Sequence, residues 1–222
     1  MAVEQQAPVR TELGARVGRG RQLTAGGTSG NERLTAATGA VLLALLAVIG
    51  VTIIQLRQLL SVHLFVGMLL IGPVALKLAT TGYRFVRYYT SSPSYRREGP
   101  PPAALRAIAP VVVLSTVVAL ASGVALLFAG PTARDSLLPI HKVSFIVWGA
   151  FTGLHVLGHL PGLQRTVKAD YGRSTGWGEE LPGRSGRMLS LAAAITAGAV
   201  LAVLVLPEFG AWLHGGATHH RG

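Results

Sequence analysis

Four ionisable side chains stand out for their setting: His63 and Lys77 in "HLFVGMLLIGPVALK", and His141 and His155 in "HKVSFIVWGAFTGLH". Each pair is fourteen residues apart, nearly four helical turns, which places its members on one helix face about 21 Å apart along the axis. A neutral imidazole is both a metal donor and a proton carrier, whereas a lysine ammonium offers donors only until it loses its proton. Ionisable groups in hydrocarbon cost on the order of 2.5–3.5 kcal/mol each on insertion scales, so they face a bundle interior and serve a purpose there. The chemistry open to this quartet is metal coordination or a polar relay.

The elements that must position them are apolar. Of 222 residues half are hydrophobic and 13% charged, a composition that predicts an integral membrane protein. Five stretches, 35–56, 59–82, 107–130, 137–160 and 188–206, each approach the roughly 20 residues that cross a bilayer as a helix. The fold class is therefore all-α, a five-span membrane bundle with a core of four helices. Residues 1–34, rich in Gly, Arg and Thr, predict a disordered basic N-terminus, and residues 207–222 a flexible tail. The first apolar run starts too late for a cleaved signal peptide. Gly72-Pro73 predicts a kink in the second span.

Charge sets the orientation. Fifteen basic residues fall on one side: Arg10, Arg16, Arg19, Arg21, Arg33, Arg84, Arg87, Arg96, Arg97, Arg106, Arg165, Lys168, Arg173, Arg184 and Arg187. Arg57, Arg134, Lys142 and Arg221 fall on the other. The positive-inside rule then places the N-terminus in the cytoplasm and the C-terminus outside; the membrane expected is the plasma membrane. Spans two and four run parallel, from outside to inside. His63 and His141 share the outer half of the membrane, and Lys77 and His155 the inner half. Two imidazoles at one depth on two helices are what a six-coordinate haem iron requires, with Gly67 and Gly149 leaving room for the ring. Without cysteine, covalent haem attachment and a Cys-ligated iron–sulfur cluster are excluded, so the group expected is haem b.

Over roughly residues 35–160 this pattern resembles the cytochrome b family, in which the second and fourth helices of a four-helix core each carry two histidines about fourteen apart. The resemblance implies His63, His141 and His155 as iron ligands, one haem at the outer level and a second at the inner level. It further implies an electron-transfer role, as a subunit that need not catalyse a net reaction by itself. Lys77 departs from the pattern at the fourth ligand position.

Other readings compete for the same residues. His63 and His141 can be interfacial histidines, and His155 can bond a neighbouring helix. Lys77 can extend its stem towards Arg84 and the lipid phosphates, or meet a haem propionate. His159, one turn beyond His155, fits an inner-interface role. The run "YRFVRYY" fits a membrane-interface anchor, and the histidines of "LHGGATHHRG" fit a disordered tail. A cofactor-free transporter-like or scaffold subunit, using His63, Lys77, His141 and His155 as a relay, is the alternative to a cytochrome. The net charge of +11 lies scattered between apolar blocks, which excludes nucleic acid as partner. The loop "GRSTGWGEELPGRSGR" lacks the ending of a phosphate loop, and no dinucleotide or flavin domain fits. Reducing equivalents are expected from a separate reductase or a quinol.

Overall fold

The computed structural model describes residues 27–90, 92–97, 99, 103–171 and 183–214, with the side chains of 159–171 and 214 left aside. Its elements are α1 (Gly27–Ile54), α2 (Leu56–Tyr89), a short α3 (Pro93–Arg97), α4 (Ala103–Ala129), α5 (Arg134–Tyr171), α6 (Arg184–Leu204) and a short α7 (Phe209–His214). Single turns of 3₁₀ helix at Pro131–Ala133 and Leu206–Glu208 join α4 to α5 and α6 to α7. Five helices are long and apolar enough to cross a membrane. Large apolar side chains cover the exterior, Ile54 at 83% exposure and Leu204 at 70% among them. Such a surface suits lipid and not water; the chain is an all-α, multi-pass membrane protein.

Two antiparallel hairpins, α1–α2 and α4–α5, make up most of the bundle. The first turns once, over Gln55 to Leu59, whose backbone (φ −111°, ψ 21°) leaves the helix. The two hairpins meet side by side in the same sense. Ile49, Val66 and Leu70 of α1 and α2 form one buried cluster with Leu120 of α4 and Phe145 of α5. Both hairpin turns therefore lie at one end of the bundle, the turn end, together with the end of α6. Arg33, Arg84, Arg87, Arg96, Arg97, Arg106, Arg184 and Arg187 lie at the other, basic end.

The helix expected outside the four-helix core is the tightest neighbour of α2. A Cβ at Gly72 would collide with the Ala194 carbonyl oxygen, and one at Gly198 with the Leu69 carbonyl oxygen. The two backbones touch because Ala194, Gly198 and Ala202 repeat every fourth residue, a small-residue stripe of the kind that draws membrane helices together. Pro73 has no N–H to give the carbonyl four residues earlier, that of Leu69. That oxygen instead meets the Cα of Gly198, a weak C–H···O contact. The backbone dihedrals stay helical through Gly72-Pro73, and the non-helical residue within α2 is Leu59. Proline's defect is absorbed where α6 presses on it, and Pro73 is fully buried.

Two boundaries also move. Residues 27–34, expected to be disordered, form the first turns of α1, where Asn31 Nδ2 donates to the Thr80 carbonyl of α2 at 3.2 Å. The preceding 1–26 lie outside the described residues. At the other terminus, 207–214 are not a loose tail: α7 folds back, and Phe209 is only 3% exposed in a cluster with Met68, Leu127, Ala202 and Val205. The tail beyond 214, with His219 and His220, lies outside the described residues. At the basic end Tyr83 meets the buried Tyr95 of α3 edge to face at 6.0 Å, and Tyr88 and Tyr89 pack together at 5.2 Å.

Candidate functional site: two oriented histidines

His63 stands seven residues into α2 and His141 seven into α5. Because those helices start at the same end of the bundle, the rings come to one level. They lie close enough to interact electrostatically. Both are half-buried.

Each ring is held by its hairpin partner. His63 Nδ1 is 2.9 Å from Thr52 Oγ1 on α1. The one hydroxyl proton of Thr52 goes to the Ile49 carbonyl at 2.7 Å, so towards His63 the hydroxyl accepts and Nδ1 donates. His141 Nδ1 is 3.0 Å from the Ala119 carbonyl and 3.1 Å from Ser122 Oγ, both on α4. A carbonyl only accepts, so here too Nδ1 carries the proton. In both rings the neutral tautomer leaves a lone pair on Nε2. A histidine whose Nδ1–H is fixed by a backbone or hydroxyl oxygen, with Nε2 open, is the arrangement that orients metal-bound imidazoles.

Small residues shape the surroundings. A Cβ on Gly123 would come within 3.1 Å of His141 Cε1, so α4 needs glycine there for the Cε1–Nδ1 edge of the ring to approach. Around Gly67 and Gly149 no described atom beyond their chain neighbours and their own turns of helix backbone lies within 4 Å of an added Cβ, so both border open space. At the turn end Arg134 and Lys142 line a shallow groove of about 330 Å³ with Leu138 and Pro139.

The other members of the quartet do different things. Lys77 turns to α1: its Nζ donates to the Thr35 carbonyl at 2.7 Å and would lie 3.2 Å from a Cβ on Gly39. With Asn31, Thr80 and the fully buried Thr38 it makes a polar seam between α1 and α2. The extension towards Arg84 expected for its stem gives way to this carbonyl, which is the nearer acceptor. His155 is half-buried on α5, two turns past Gly149. His159 is on the same helix, its side chain outside the described residues. Among the described residues no three His, Cys, Asp or Glu side chains converge on one point. His155 does not join His63 and His141, and the pair offers two donors, too few for a bare ion and the number an iron already held by four porphyrin nitrogens needs.

Thr52, Ala119, Ser122 and Gly123 escaped the sequence reading. Thr52 could have been found: it sits eleven residues before His63 across a tight turn, at equal depth. Ala119 acts through its backbone and carries no sequence signal. Comparison with family models, with curated proteins and with solved structures finds no match for this chain.

Proposed function

We propose that this chain is a membrane cytochrome of b type, in which His63 and His141 would hold one haem through Nε2. The observation that carries the reading is the pair of Nδ1–H bonds, to Thr52 and to Ala119, which leave two lone pairs at one level on parallel helices. Bound there, haem would supply a one-electron carrier. The chain's own part is to fix both rings in the ligating tautomer, keep water from them, and hold them at a set depth. Electrons would pass between a membrane quinone pool or a separate reductase and an acceptor, with the chain in the plasma membrane and its basic end in the cytoplasm. As a subunit of an oxidoreductase assembly it needs no catalytic residue of its own.

The deciding experiment is an absorbance spectrum of protein purified from haem-replete cells. A Soret band and a sharp reduced α band are expected, with His63→Ala and His141→Ala losing both while still folding. A folded but colourless wild type overturns the reading. It would favour the cofactor-free scaffold, for which the Lys77–Thr35 bond is the specific support, since that ionisable group already serves helix pairing.

A further inference from the structure

A second feature of the turn end calls for a ligand group. Trp212 of α7 packs on the cluster that contains Met68 of α2, Leu127 of α4 and Ala202 of α6 and borders Leu64, Phe65 and Val124. Leu64 and Phe65 directly follow His63, and Val124 directly follows Gly123, against which His141 rests. The indole Nε1 is buried and has no hydrogen-bond partner among the described residues. An indole nitrogen can only donate, and a buried donor left without an acceptor is rare because it has given up water for nothing. A tryptophan anchoring a membrane interface keeps its N–H at the polar headgroups. Here the N–H is covered, so that role does not account for it.

We propose that Trp212 Nε1–H donates to a propionate carboxylate of the haem held by His63 and His141, a positioning bond that rests on the function proposed above. Three observations converge on this acceptor. The unpaired donor belongs to a residue packed on a cluster that borders the chain neighbours of His63 and of Gly123. It is at the end of the bundle nearer those imidazoles, the end where a haem's carboxylates find water. The exposed cations Arg57 and Lys142 sit at the same end and suit the remaining negative charge. A bond from an N–H to a carboxylate is charge-assisted and stronger than a neutral one, and burial strengthens it further.

The test loads protein made in haem-deficient cells with haem b or with iron octaethylporphyrin, which has no carboxylates, and times loss of the porphyrin to an excess of competing apoprotein. W212F keeps the ring's bulk and removes the N–H. It should lose haem b roughly tenfold faster than wild type and lose octaethylporphyrin at the wild-type rate. On the wild-type chain alone, the indole Raman bands that report N–H hydrogen bonding should shift on loading with haem b and stay put with octaethylporphyrin. Equal haem b loss from W212F and wild type overturns the proposal, and so does equal acceleration with both porphyrins, which marks a packing role. A wild type that takes up neither porphyrin removes the underlying cytochrome reading as well, an outcome distinct from the other two.

Discussion

A histidine in a membrane has two nitrogens to settle, and in this chain the neighbouring helix settles only one of each ring. That makes Thr52 the residue on which His63 depends. Replacing it with the isosteric valine leaves Nδ1–H without its acceptor, at a cost of about 1–3 kcal/mol for a buried unmade bond. On the proposed function, Thr52→Val should weaken haem binding roughly ten- to hundredfold. It should also raise the midpoint potential, because an imidazole that no longer donates is a poorer electron source for ferric iron. Redox titration and haem-loss rates check both. Ser122→Ala should do much less, since the Ala119 carbonyl still accepts from His141. At this scale the sequence was half legible. The rings and their common depth followed from residue type and charge distribution, whereas their orientation comes from oxygens, one of them a backbone atom, that no side-chain pattern reports. Lys77 shows the same gap. Its spacing put it on the histidine face, but a four-carbon stem can swing, and it took a carbonyl on α1. Lys77→Met should accordingly leave the haem bands unchanged and shift thermal stability by no more than about 1–2 kcal/mol, which a melting series of the purified protein measures.

Among the elements, α6 carries the strongest constraint on sequence. Apolar runs made its existence plain, but its place in the bundle depends on where Ala194 and Gly198 meet Gly72 and Leu69, and contact between two backbones is not written in hydropathy. The helix ends were hidden for a related reason. An apolar run stops at the edge of hydrocarbon, while α1 and α2 continue past it, held by bonds such as Asn31 to Thr80 and by the tyrosines around Tyr95. Gly198→Leu tests the crossing. Its side chain has no room against the Leu69 carbonyl, so α6 must move off α2. Overpacking of this sort costs on the order of 1–3 kcal/mol or more. The variant should melt lower in detergent and be cut faster by protease in the segment before α6, with Gly50→Leu, at a glycine with open space around it, as the harmless control.

For the whole molecule, the site is lopsided. His63 lies about 10 Å from the start of α2 and some 39 Å from its far end at Tyr89, taking 1.5 Å per residue, and His141 repeats the short distance on α5. The level below has no matching pair, since Lys77 is committed to α1 and leaves His155 without a histidine opposite it on α2. One haem per chain is therefore expected from the pyridine-haemochrome ratio, held near the turn end. This predicts sided chemistry. In vesicles sorted by which face exposes the C-terminal tail, a membrane-impermeant oxidant such as ferricyanide should oxidise the reduced haem rapidly when that face is outward and slowly when it is inside. Equal rates from both faces, or two haems per chain, would require a second carrier level at His155 and a different partner for it. A sided result has a further consequence for how electrons arrive. A reductase docked at the arginine-rich end would face a gap of most of the membrane's thickness, whereas a quinol diffusing within the bilayer can reach the turn-end level directly. Reduction by a short-chain quinol in otherwise pure vesicles should therefore proceed without any soluble partner, and a failure of that reaction would point to a protein donor at the turn end.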